Sequence, residues 1–215
     1  MGLFNRKGAE TATSTETAAA TSAATAPTAV LDAAATDLAH LTGDYTIDTT
    51  HSRIGFTVRH AMVTNVRGEF SDYQGTLHLD GSDPAASSAE LVIQVASIST
   101  GNEQRDGHLR TGDFFEAESH PEISFRSTAT EQLDADTYRM TGDLSIKGTA
   151  RPVVLDLEFT GTATDPYGIQ RLGFEGRTTV DRTDFGLSYN AALETGGVLI
   201  GEKVKLSFDI SAVRA

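Results

Sequence analysis

Arg105, Asp106, His108 and Arg110 crowd into the stretch QRDGHLRTGDFF, which runs from Gln104 to Phe115 and ends on an apolar pair. An imidazole close to a carboxylate and a guanidinium can act as an acid–base centre, since His titrates near neutrality and its neighbours set which form is present. The same residues can instead meet the polar head of a ligand. They can also form a structural network in which Asp accepts from Arg and His caps a strand end. A turn of helix would bring Arg105, His108 and Leu109 to one side, because residues three and four apart are neighbours there. Arg182-Thr183-Asp184-Phe185-Gly186 carries similar logic: an Arg and an Asp bracket a turn while Phe185 faces inward.

Other chemistries are poorly represented. The six histidines (His40, His51, His60, His78, His108 and His120) form neither HExxH nor a close HxH pair. Zinc needs three or four converging ligands, and no metal site is expected. There is no GxSxG nucleophile elbow and no glycine-rich phosphate loop. No catalytic residue is assigned. The absence of cysteine excludes disulfides, thiolate metal sites and a cysteine nucleophile.

Charge narrows the partners. With 17 basic and 30 acidic residues the formal net charge is -13. Phosphate binding relies on clustered Lys and Arg, so nucleic acid is not an expected partner. Anionic membranes should repel the protein on average. No apolar run reaches membrane-spanning length, so no stable membrane insertion is expected. The start MGLFNRKGAE has a basic pair but no apolar region after it, and Arg6 stands where a myristoylation motif wants Ser or Thr. A cytoplasmic protein is the expectation.

The elements that must position these residues fall in two parts. Residues 9–36 are almost all Ala and Thr, with little to bury against the entropy of ordering them. Residues 1–42 read as a low-complexity tail, disordered to about residue 28, with a short helix at 30–41 where Val30, Leu31, Ala34, Leu38 and Leu41 recur at helical spacing. From 43 to 215 period two takes over. Ile54, Phe56 and Val58 alternate with polar residues. So do Ile123 and Phe125, Leu144 and Ile146, Leu155, Leu157 and Phe159, and Val204, Leu206, Phe208 and Ile210. Leu172 and Phe174 do likewise, and turn chemistry such as Lys147-Gly148 and Asp165-Pro166-Tyr167-Gly168 lies between the runs. One dry face per strand and short turns predict an all-β antiparallel barrel of about eight strands, with a short helical insert. Such a barrel is just wide enough to be filled by its own side chains or to hold one small ligand. The pattern leaves both readings open.

The motifs together resemble the YceI-like family of lipocalin-like, polyisoprenoid-binding proteins. The resemblance runs through YTIDTTHSRIGFTVRH (Tyr45 to His60), VRGEF (Val66 to Phe70), SIST (Ser97 to Thr100) and RDGHLRTGDFF (Arg105 to Phe115). It continues through HPEISF (His120 to Phe125), GDLSIKGTARPV (Gly142 to Val153) and RTDFG (Arg182 to Gly186). Two features depart from the pattern: Tyr45 stands where the family usually has Trp, and no secretory signal is evident although many relatives are periplasmic.

The resemblance implies a lipocalin-like barrel whose long apolar pocket holds the isoprenoid tail of a quinone or related lipid. The bound lipid apart, no cofactor is implied. The pocket residues are then Ile54, Phe56, Val58, Phe70, Ile93, Ile123, Phe125, Leu144, Ile146, Leu155, Leu157, Phe159, Phe174, Phe185 and Phe208. Leu109, Phe114 and Phe115 of the insert at 102–113 and just beyond it wall the pocket. His51, Arg105, Asp106, His108 and Arg182 are the candidates for touching a head group. The resemblance implies a non-catalytic lipid carrier, store or sensor, able to form a homodimer. The alternative is an enzyme acting on a bound isoprenoid through Arg105, Asp106 and His108.

Overall fold

The computed structural model describes residues 38–194 and 196–215. Strands follow one another with few interruptions: β1 (Gly43–Ile47), β2 (Arg53–His60), β3 (Thr64–Phe70), β4 (Tyr73–Leu79), β5 (Ser88–Gln94) and the short β6 (Ile98–Ser99). The α-helix α1 (Glu103–Leu109), the one α-helix among the described residues, precedes β7 (Glu122–Gln132), β8 (Thr137–Ile146), β9 (Thr149–Thr164), β10 (Gln170–Asp181) and β11 (Ile200–Arg214).

Eight of these strands close a ring in the order β1-β4-β5-β7-β8-β9-β10-β11, and β11 pairs back onto β1. Every pairing is antiparallel. The expected barrel of about eight strands is present. Three further strands extend it. β11 is long enough to serve two partners on one edge, β1 at its C-terminal end and β2 along its N-terminal half. β3 and then β6 continue outward from β2. Period two cannot distinguish a ring strand from one in such a flap, because both have one dry and one wet face.

The insert exists because β5 and β7 are ladder neighbours whose connection is not a hairpin. The intervening chain crosses an end of the barrel instead. Asn102 starts α1 by accepting from the Arg105 amide at 3.0 Å, as an N-cap residue does. Lys147, in the two-residue β8–β9 turn, donates to the Gly112 carbonyl at 2.9 Å and lies 3.6 Å from Glu116. Lys147 and Gly148 both have positive φ (49° and 71°), the geometry whose twist suits a tight hairpin.

The opposite end of the barrel carries a separate apolar cluster of Leu38, Leu41, Tyr45, Tyr138, Leu172 and Ala212. The Tyr45 hydroxyl donates to the Leu41 carbonyl at 2.6 Å, and Arg214 stacks over the ring at 5.5 Å. Tyr45, where the family pattern has Trp, thus fills the position as an aromatic ring with a satisfied polar tip. Residues 39–41 form one 3-10 turn, with Leu38 and Leu41 buried on it. Residues 30–37 of the expected helix, and the low-complexity tail, lie outside the described residues.

Candidate ligand cavity

The strands of the barrel place their dry faces around an internal cavity of about 250 Å³. This lies near the lower end of the roughly 300–1,000 Å³ usual for small-molecule sites. Its wall is almost wholly apolar. β10 spans it, from Leu172 in the cluster at one end to Val180 and the 3-10 turn Arg182–Phe185 at the other. There α1 and the residues after it bring Leu109, Phe114 and Phe115 over the lumen.

Glycines decide why the lumen is not filled. Gly68 is the cross-strand partner of Phe56, and a Cβ there would stand 2.3 Å from the Phe56 ring. Gly142, whose cross-strand partner is Ser127, likewise leaves room for the diagonal Phe125 ring, 2.5 Å from where its Cβ would stand. Each missing side chain lets a ring fold back against the sheet instead of projecting to the barrel axis.

Every apolar pocket residue read from the sequence lines the cavity, except Phe159. Phe159 sits against Phe174, ring centroids 5.4 Å apart, in the cluster at the β1 end. A register shift between β9 and β10 at Gly173/Phe174 accompanies this placement. Alternation along β9 cannot reveal it, because a strand carries its dry face past the end of the lumen. The wall also includes Met140, Val180 and Leu187, which sequence reading passed over. Met140 lies in the alternation Tyr138-Met140-Gly142-Leu144, which the central glycine obscures. Leu187 follows a turn and carries no periodic signal.

The polar candidates are dispersed. Arg105 donates to the Thr100 hydroxyl at 2.7 Å and to its carbonyl at 3.0 Å. Asp106 is buried and accepts from the Thr100 amide at 2.9 Å and from its hydroxyl. Both brace the entry into α1. His108 points elsewhere, bonded to Asp113 at 2.7 Å with its ring edge-on to Phe114 and Tyr189, each 5.1 Å away. His51 is exposed beside Asp48 at 2.8 Å. The Asp48 carboxyl is held well below the usual range by the Thr50 hydroxyl first, then by Arg171 and His51.

Of the five polar candidates only Arg182 contributes to the cavity wall. It is buried, and its guanidinium donates to the carbonyls of Leu187, Gly201 (3.0 Å) and Ile200 (3.5 Å). Burial pulls its pKa below the ordinary value. These bonds tie the segment 186–201 to the end of β10, with Gly186 in the left-handed conformation (φ 77°) that ends the turn. Arg105, Asp106 and His108 therefore do not converge on the lumen. Among the described residues no group of three or more His, Asp or Glu could hold a metal ion. The arrangement can sequester an apolar molecule by burial.

A closed antiparallel barrel with an apolar lumen defines a lipocalin-like architecture. The chain belongs to the YceI-like family: the model of the YceI-like domain matches residues 45–212. A UPF0312 protein of Staphylococcus epidermidis is 38% identical over 169 residues, covering 78% of this chain and 95% of the relative. Another from Azotobacter vinelandii is 35% identical over 149 residues, 68% of this chain and 78% of the relative. Among solved structures, Burkholderia cenocepacia BcnA superposes with a TM-score of 0.68 at 22% identity, over 77% of this chain and 98% of its own. A polyisoprenoid binding domain from Saccharophagus degradans, implicated in plant cell wall breakdown, superposes at 0.61 with 16% identity over 80% and 98%.

Proposed function

We propose that this protein binds a lipid by enclosing its isoprenoid tail in the barrel, and acts as a carrier, store or sensor without turning the lipid over. The observation that carries this reading is the lumen itself: a cavity of about 250 Å³ with an almost wholly apolar wall, with glycines packed against the Phe56 and Phe125 rings. The similar fold of the polyisoprenoid binding domain supports it. Burying a tail recovers roughly 0.8 kcal/mol per methylene-sized group, or about 4 kcal/mol per five-carbon unit, relative to water. A bilayer offers the tail nearly the same gain. Preference over the bilayer must come from lumen shape and from the head group, and an isoprenoid quinone is the ligand we propose.

An enzyme working through Arg105, Asp106 and His108 is the weaker reading. The first two are committed to Thr100, and the third pairs with Asp113. Mass spectrometry of an organic extract of the purified protein tests the binding reading, beside Leu157→Asp and the cavity-filling Ala89→Leu. A single isoprenoid species from the parent, lost from variants that melt cooperatively, is expected. Full retention of that lipid by both folded variants would place it outside the barrel.

A further inference from the structure

Four exposed apolar side chains, Met62, Val63, Tyr189 and Val198, lie together on one side of the α1 end, apart from Leu133, Val154, Tyr167 and Ile169 elsewhere on the barrel. The β2–β3 turn holds Ala61 and Met62 at φ 47° and 62°, left-handed positions that normally go to Asn or Gly. It presents Met62 at 56% and Val63 at 72% exposure. The Ala61 amide donates to the Leu199 carbonyl at 2.7 Å, so the segment carrying exposed Val198 and Tyr189 lies alongside. Tyr189 packs on Phe114, which lines the cavity, with ring centroids 5.1 Å apart. An apolar rim therefore adjoins the cover of the lumen. Backbone strain kept at a solvent-exposed turn with large apolar side chains costs stability and solubility, and such costs concentrate at functional surfaces.

Behind the rim, the half of the β3-β2-β11-β10 outer face nearer the β2–β3 turn carries a cluster of cations in a chain whose net charge is -13. Arg67 stands opposite Thr57, and Thr57 opposite Lys205, in one row across three strands. Arg59 lies one row nearer the turn and Arg177 one row farther on. Along β3, Arg67 is about 13 Å from Val63 at some 3.3 Å per residue. Among the described residues, no carboxylate lies within ion-pair distance of Arg59, Arg67, Arg177 or Lys205. Three nearby acids are engaged with other cations: Glu69 with Arg53 (2.7 Å), Asp181 with Lys203 (3.2 Å) and Asp156 with Arg139 (2.9 Å). Glu175 and Asp209, paired across β10 and β11, are exposed acids in the row beyond Arg177, and Glu202 is exposed three residues before Lys205. A shallow groove lined by Thr57, Arg177, Thr179, Lys205 and Ser207 runs between the cations.

We infer that this side of the barrel docks reversibly on an anionic lipid bilayer, with Met62 and Val63 entering the interface and Arg59, Arg67, Arg177 and Lys205 facing lipid phosphates. The charge pattern fits that partner: each basic residue near an anionic surface contributes attraction that falls off within a Debye length. The rim then sets the cover of the lumen against the membrane. The net charge of -13 opposes approach over long range, and the local cations act once they are within a Debye length of the surface.

Flotation with large vesicles of phosphatidylglycerol and phosphatidylcholine, or of phosphatidylcholine alone, tests this on the full chain. Binding to the anionic vesicles and not to the neutral ones is expected at low salt, with a loss on raising the salt. The Arg67→Glu/Lys205→Glu pair should weaken partitioning by about thirtyfold or more, at roughly tenfold per 1.4 kcal/mol. Met62→Asp/Val63→Asp should weaken it by about tenfold. All four positions are exposed, and unchanged melting temperatures should show that the variants fold. No binding to anionic vesicles, or binding that neither pair alters, overturns the inference. So does retention by a nucleic acid duplex without vesicle binding, which would assign the patch to another polyanion. The assay reads docking whether or not the lumen is loaded, so its failure leaves the tail-binding reading untouched.

Discussion

At the β1 end of the barrel, Leu41, Tyr45, Leu172 and Ala212 are exposed by 1% or less, and hydrogen-bonded strands run beneath them. At the α1 end the cover is a helix of seven residues and the irregular chain after it, which has no ladder partner and is held by side chains. Tyr189, 37% exposed, and Lys147 are two of those attachments. A sheet ladder opens only when many bonds break together. A side-chain contact can break alone. The first end is built to hold the ring closed, and the second leaves the lumen reachable.

The contrast can be broken most strongly at the β1 end. Leu172→Ala should cost about 2–5 kcal/mol, since Leu172 is fully buried and the strands around it cannot collapse into the void; chemical denaturation measures this. Gly68→Ala should cost about 1–3 kcal/mol and push the Phe56 ring toward the axis, because the added Cβ meets that ring at 2.3 Å. Its second readout is a loss of bound lipid larger than the loss of stability implies.

Acid provides a subtler test of the β1 end. Arg171 joins Asp48 to Asp165, tying the chain after β1 to the β9–β10 turn. The folded pKa of Asp48 is depressed, chiefly by the Thr50 hydroxyl and then by Arg171. Its stabilising contribution is therefore complete above the unfolded value of about 3.9 and is lost as pH falls below that toward the folded value. Between about pH 5 and 3 the melting temperature of the parent should fall more steeply than that of Asp48→Asn. The smallest effect on stability should come from Tyr189→Ala, at about 1 kcal/mol or less for a half-exposed contact. It should nonetheless speed the exchange of bound lipid, measured by transfer of a fluorescent isoprenoid to vesicles. Unchanged exchange would remove Tyr189 from the cover.

Much of the barrel was legible in the residues. Alternation such as Val204-Leu206-Phe208-Ile210 reports which side of a strand is dry, whatever the strand pairs with, and so identified the wall before any pairing was known. The Phe159 misplacement marks the limit of that signal. Alternation says that a side chain is buried, and its depth along the barrel depends on strand length and on the shift at Gly173/Phe174. The polar residues were less legible. Arg105, Asp106 and His108 are close in sequence, yet their partners are Thr100 and Asp113, chosen by where the chain turns into and out of α1.

By itself the sequence determined the antiparallel strands, the dry faces, the helical insert and the family, because each is written in local spacing or in ordered motifs. Only the tertiary structure decided that the lumen stays open, since that depends on Gly68 standing opposite Phe56 and on Gly142 standing against Phe125. It also decided that Arg67, Lys205 and Arg177, far apart along the chain, share one face. Both are matters of register between strands distant in sequence, and register is settled only when the ring closes.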